Sequence, residues 1–131
     1  MKAQQYKTRP LECWQKGKEL RLQLYQEVAQ ARETGKLVAS GAVETGLLVS
    51  GLKDCIFMAS EPYGATIGHD PAFARLCEEA AEARGFSPDL CAYMRNYWGS
   101  MFLNRNYFGG PFPKVDFCLT IHCCDSHGKW Y

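Results

Sequence analysis

KLVASGAVETGLLVSGLKDCIFMAS, residues 36–60, holds two compact apolar runs of strand length separated by a short segment of different character. KLVAS (36–40) reads as a short strand, GAVETGLLVSGL (41–52) as a small helix stopped by Gly51, and DCIFMAS (54–60) as a second strand. Two strands joined through a helix form the step from which parallel sheets are built. On the N-terminal side, PLECWQKGKELRLQLYQEVAQARE (10–33) has Leu11, Trp14, Leu22, Tyr25 and Val28 near helical spacing. Pro10 suits a first-turn position there, and Gly35 ends the helix.

On the C-terminal side, EPYGATIGHDP (61–71) reads as a loop from its proline and glycine content. PAFARLCEEAAEARG (71–85) reads as a helix started by Pro71 and stopped by Gly85, with Cys77 four residues after Phe73 on its apolar face. SPDLCAYMRNYWGSMFLNR (87–105) has the best-marked helix start in the chain: Ser87 as N-cap, Pro88 at the first helical position and Asp89 in the first turn. KVDFCLTIHC (114–123) reads as a buried strand and SHGKWY as the start of a further helix capped by Asp125. The expected fold class is α/β, a Rossmann-like or flavodoxin-like mainly parallel sheet with flanking helices, preceded by a long N-terminal helix. Strands are expected near 37–40, 55–59 and 115–121, and helices near 10–33, 71–84 and 88–105. The expected organisation is a helical arm over residues 1–35 and a first part of an α/β domain over 36–131.

Composition narrows the function. A chain of 131 residues that is 47% apolar is the size of one ordinary domain. The net charge of +1 gives no reason to invoke nucleic acid or an anionic membrane. Residues 1–36 carry eight Lys/Arg against four Glu, so Lys16, Lys18 and Arg21 lie in a basic arm that is either a solvated face or a partner contact. No apolar run reaches the roughly 18 residues needed to span a bilayer, and MKAQQYKTRPLECW lacks the apolar centre of a secretion signal. The cytoplasm is therefore the expected compartment. No Gly-rich phosphate loop is present.

Seven cysteines, at positions 13, 55, 77, 91, 118, 123 and 124, are an odd number and no disulfide framework for such a compartment. Cys13, Cys55, Cys77 and Cys118 fall on expected helices and strands and are expected to pack as small apolar groups. Cys91 and Cys124 each fall near an expected helix N-terminus, where free N–H groups favour the thiolate that binds metal. Cys124 also follows a strand at its carboxyl end, where α/β sheets place ligands. No tight Cys-x-x-Cys pair occurs, so spacing alone leaves a metal site and plain thiols both open. Glu61 is either a site acid at a strand end or a solvated loop carboxylate. Tyr93, Tyr97 and Trp98 are either the wall of an aromatic pocket or core, and His69 and His122 are either proton donors or locally bonded.

SEPYGA (60–65), GFSPDLCAYMRNYWGSM (85–101) and DFCLTIHCCDSHGKWY (116–131) resemble, in this order, the benzoyl-CoA reductase and 2-hydroxyacyl-CoA dehydratase family. The likeness runs closest to the larger cluster-binding subunit of the ATP-dependent benzoyl-CoA reductases. It covers the chain from about residue 36 onward, and SPDLCAY and CCDSHGKW are its most specific parts. The resemblance implies a [4Fe–4S] cluster held by Cys91 and Cys124, with Cys123 as a neighbour or substitute ligand. The family's third cluster cysteine belongs to a later domain, so it is expected beyond residue 131, with this chain an incomplete fragment of a longer subunit. The implied reaction is reduction of the ring of an aromatic acyl-CoA to a cyclic diene by low-potential one-electron transfers. The implied partners are a homologous cluster-bearing subunit and an ATPase pair that uses the ATP. A 2-hydroxyacyl-CoA dehydratase subunit and a non-catalytic α/β interaction domain with structural cysteines are the alternatives.

Overall fold

The computed structural model describes residues 9–129. In chain order the elements are α1 (Trp14–Ala29), β1 (Leu37–Gly41), α2 (Gly46–Val49, entered through a 3-10 turn), β2 (Cys55–Ala59), α3 (Ser60–Ile67), α4 (Pro71–Glu82), α5 (Ala92–Phe102) and β3 (Phe117–Leu119). A last 3-10 turn covers His127–Lys129. The three strands form one parallel sheet in the order β2-β1-β3, in register from Leu37 opposite Cys55 and from Ala39 opposite Phe117. The protein is thus α/β, with a small parallel sheet, flanking helices and a long first helix. Among the described residues, no helix is long and apolar enough to cross a membrane.

The segment read as a loop at 61–71 is a correction: residues 60–67 form α3, which starts directly after β2. Pro62 lies in the first turn, where an N–H has no helical acceptor in any case. Gly64 is placed where α5 crosses, and a Cβ there would lie 1.9 Å from the Tyr93 carbonyl oxygen. Both residues read as helix breakers from sequence, yet one is at a permitted position and the other is required by a neighbouring backbone. The same device recurs at Gly99, where a Cβ would lie 1.9 Å from Cys77 O, so α4 and α5 approach backbone to backbone.

Helix α4 starts at Pro71 as expected, and its cap is Asp70, whose Oδ1 accepts the N–H groups of Ala72 and Phe73. Phe73, Cys77 and Ala81 turn into the core at helical spacing. Helix α5 begins later than expected. Ser87 Oγ accepts from Asp89 N–H at 3.2 Å and closes a separate turn. Cys91, extended at φ −49° and ψ 126°, is the residue that caps α5. Helix α1 is also shorter than 10–33. Its second half buries Tyr25 and Val28, whereas Leu11, Trp14 and Leu22 remain at least half exposed among the described residues.

The thiols sort differently from expectation. Cys77 is fully buried, and burial pushes its thiol up to about 12. Cys55 is half-buried, while Cys13 and Cys118 are exposed. Cys13 precedes the uncovered end of α1. Cys118 lies on β3, which among the described residues is an edge strand paired with β1 alone, and lines an open cavity. The expectation that Cys118 packs as a core residue is therefore corrected: a position within a strand does not decide whether its face is covered.

The core links the central strand to α5. Tyr97 OH donates to Ser40 Oγ at 2.9 Å, and Ser40 Oγ donates to Met58 O at 2.7 Å, all three residues being buried. Around them lie Val38, Met58, Tyr63, Ile67, Met94 and Trp98.

Asp116 fastens the outer strand. Its N–H donates to Val38 O, its Oδ2 accepts Val38 N–H at 2.9 Å, and its Oδ1 accepts from Arg32. The Val38 N–H, and then Arg32, hold this carboxyl below the usual carboxylate range. A depressed folded value means that the charged group stabilises the fold above its unfolded pKa of about 3.9. That contribution fades as pH falls through the lower folded value. Asp116→Asn is accordingly expected to lower the denaturation midpoint at neutral pH, with the gap to the parent chain closing below about pH 4. A gap that stays constant from neutral to acid pH would show that the carboxylate charge plays no part.

Candidate metal centre

The strands of a parallel sheet all end on one side, and the turns that leave them build the site. Here the first turn of α3, the cap of α5 and the loop at 122–129 after β3 meet. Glu61 stands in the first turn of α3. Its Oε2 accepts Val43 N–H at 3.1 Å, from the turn that leaves β1, and lies 3.0 Å from Ser60 Oγ. Its Oε1 reaches 3.0 Å from Nε2 of His127, a residue only 5% exposed.

The other nitrogen of the same ring faces the vicinal thiols. His127 Nδ1 lies 3.1 Å from Cys123 Sγ and 3.3 Å from Cys124 Sγ. The donor atoms of Cys123, Cys124 and His127 all fall within 4.8 Å of one another, so this group could hold a metal ion. The loop is braced by its own backbone, Gly128 N–H donating to Cys124 O at 3.0 Å and Lys129 N–H to Ser126 O at 3.1 Å. Desolvation by the surrounding loop first, and then the neighbouring Cys124 sulfur, push the Cys123 thiol above its ordinary value.

Cys91 joins the site through its backbone. Its N–H donates to Ser126 Oγ at 3.0 Å, so the cap of α5 is tied to the loop that carries both vicinal cysteines. Cys91, Cys123 and Cys124 are all exposed.

The remaining sequence candidates divide between site and scaffold. His122 is exposed and leans on Gly128, where a Cβ would lie 2.7 Å from its Nε2. His69 lies beyond the opposite end of α3 from Glu61, in an open groove with Trp14, Lys18, Arg21, Tyr107 and Phe108. Tyr97 and Trp98 are core residues at 1% and 3% exposure, whereas Tyr93 is 51% exposed. Tyr97 and Trp98 also edge a cavity of about 250 Å³ lined further by Phe86, Met101, Phe102, Val115, Cys118 and Lys129. Trp130 and Tyr131 lie outside the described residues.

His127 is the site residue that the sequence reading passed over. Its signal was the spacing Cys123-Cys124-x-x-His127, which places a nitrogen donor one 3-10 turn beyond two sulfurs. The Glu61 partnership had no such signal, because it joins segments far apart in the chain. Comparison of the chain with family models and with curated proteins gave no match.

Proposed function

We propose that the chain belongs to an iron–sulfur subunit of an ATP-dependent benzoyl-CoA reductase, with Cys91 and Cys124 as ligands of a [4Fe–4S] cluster. The observation that carries this reading is convergence. The described residues of SEPYGA (60–65), GFSPDLCAYMRNYWGSM (85–101) and DFCLTIHCCDSHGKWY (116–131), the three strings on which the family resemblance rests, meet one another. Glu61 of the first meets His127 of the third at 3.0 Å. The Cys91 N–H of the second meets Ser126 of the third, also at 3.0 Å. Asn96 Nδ2, on the helix that Cys91 caps, donates to Gly64 O of the first at 3.1 Å. Chance likeness of three short strings gives no reason for such a meeting, whereas a shared site does.

The residues present suit the group. Exposed thiols at the carboxyl end of a parallel sheet are soft donors with a path for an incoming cluster. When bound, the cluster would supply low-potential one-electron transfers for reduction of an aromatic acyl ring. The chain's own residues have separable tasks: Cys91 and Cys124 hold, Ser126 fixes the Cys91 amide, and Glu61 anchors the 122–129 loop. The cavity beside Tyr97 and Trp98, largely apolar but lined also by Lys129, has room for an aromatic ring. In this reading the protein works in the cytoplasm beside a homologous cluster-bearing subunit and an ATPase pair.

The test is anaerobic purification of the full-length complex as parent and as Cys91→Ser. The parent is expected to contain iron and acid-labile sulfide and to reduce benzoyl-CoA when ATP is supplied, and Cys91→Ser is expected to lose both. Turnover of a 2-hydroxyacyl-CoA without net reduction would move the assignment to the dehydratase branch. A colourless, iron-free parent complex would overturn the reading.

A further inference from the structure

Cys123 and His127 lie outside the cluster pair proposed above, yet with Cys124 they bring three ligating atoms within 4.8 Å of one another. We propose that Cys123 Sγ, Cys124 Sγ and His127 Nδ1 form a site for a single thiophilic divalent cation of the zinc type, with Glu61 as the carboxylate that orients the imidazole. The proposal does not rest on the cluster reading. The two groups share Cys124, so they exclude each other at this loop.

The distances fit a tetrahedral ion. Zinc bonds of about 2.3 Å to sulfur and about 2.0 Å to nitrogen, at a tetrahedral angle, set sulfur and nitrogen about 3.5 Å apart. The observed separations are 3.1 and 3.3 Å, so each must widen by only a few tenths of an ångström. The thiols are exposed at the loop surface and can make that movement, while the buried imidazole stays fixed.

The surroundings also fit. A ligating histidine is normally held by a carboxylate on its other nitrogen, which sets the tautomer and raises its basicity. Glu61 stands 3.0 Å from Nε2 and is itself held by the Val43 N–H, from a separate element. The carboxylate is therefore placed before any ion arrives. The same pair would have little purpose for a loop that needed only to be closed, because the backbone bonds at Cys124 and Ser126 already close it. Two sulfurs and one imidazole select against magnesium and calcium, which take oxygen ligands. Three protein donors on an exposed loop leave a fourth position for water or another exchangeable ligand.

The experiment uses the full chain, reduced and stripped of metal under anaerobic conditions, with cobalt(II) as the optical probe and zinc(II) as competitor. The expected result is one cobalt per chain, with the intense visible bands of a tetrahedral ion and a thiolate-to-cobalt charge-transfer band that zinc displaces. Cys123→Ser and His127→Gln should lose that spectrum, and Cys91→Ser should keep it. Glu61→Gln should weaken zinc binding by about 10–100-fold, the range known for such orienting carboxylates. Far-ultraviolet circular dichroism of each metal-free variant separates loss of the site from loss of the fold. If His127→Gln destabilises the chain, His127→Asn serves as the second variant. Retention of the tetrahedral spectrum by a folded His127 variant, its loss in Cys91→Ser, or a weak octahedral spectrum in the parent would each overturn the proposal. Iron content of the Cys91→Ser complex tests the cluster reading separately, so either proposal can fail alone.

Discussion

Cys124→Ser is expected to abolish both metal chemistries in one step, iron retention by the full-length complex and the tetrahedral cobalt spectrum of the chain. Cys124 is the residue that the two proposed donor sets have in common. A serine hydroxyl stays protonated at neutral pH and is a hard oxygen donor, so it replaces neither the charge nor the softness of a thiolate. The fall in affinity should exceed the roughly 10–100-fold expected for Glu61→Gln, because a ligand is lost and not merely its orientation. The fold should survive. The side chain is exposed, and the bond that closes the loop runs from Gly128 N–H to the backbone oxygen of Cys124, which serine keeps. Surface changes of this kind cost within about 0.5 kcal/mol. Iron, acid-labile sulfide and cobalt titration measure the effect, and parent levels of either metal would remove Cys124 from the corresponding set. Cys91→Ser and His127→Gln serve as the partial controls, one expected to lose only the cluster and the other only the zinc-type ion.

Tyr97→Ala is the substitution expected to cost the fold most. The side chain is 1% exposed and packs edge-on against Tyr63 and Phe112, with ring centroids 6.1 and 5.5 Å away. Truncating a buried aromatic to alanine costs about 3–5 kcal/mol through lost burial and the cavity left behind. Against a typical total stability of about 5–15 kcal/mol, that is enough to leave much of the protein unfolded. Tyr97→Phe isolates the hydroxyl. Ser40 Oγ still donates to Met58 O, so one hydrogen bond goes and no buried donor is stranded. That change should cost only about 0.5–1.5 kcal/mol. Because Tyr97 joins the central strand to the helix that Cys91 caps, Ala at this position should also reduce metal retention, in proportion to unfolding. Equilibrium denaturation reads both variants, and equal losses for Ala and Phe would show that the ring contributes nothing beyond its hydroxyl.

The architecture was legible in local pattern. The apolar runs at 37–40 and 55–59 differ from the observed β1 and β2 by one residue at most. The Pro71 start and the Phe73, Cys77 spacing of α4 carry their own physical cause within one or two turns of chain. The element order then implies a parallel sheet, because strands joined through helices run in the same direction.

Other features depended on what one segment meets in another. Pro62 and Gly64 mark a loop until α5 crosses at Gly64 and its Tyr93 carbonyl fills the space of a missing Cβ. Ser87 offers a cap, but the extended conformation of Cys91 moves the start of α5 forward and turns its N–H toward Ser126. Cys118 alternates like a core residue, yet the open cavity beside an edge strand leaves it exposed. The cysteines at 91, 123 and 124 were visible as candidates because each thiol carries its chemistry in its own side chain. His127 and Glu61 acquired theirs only in the folded chain. A carboxylate from the end of β2 and an imidazole from the loop after β3 become partners because parallel strands bring their carboxyl ends to one side of the sheet, a juxtaposition made by tertiary contact and carried by no local spacing.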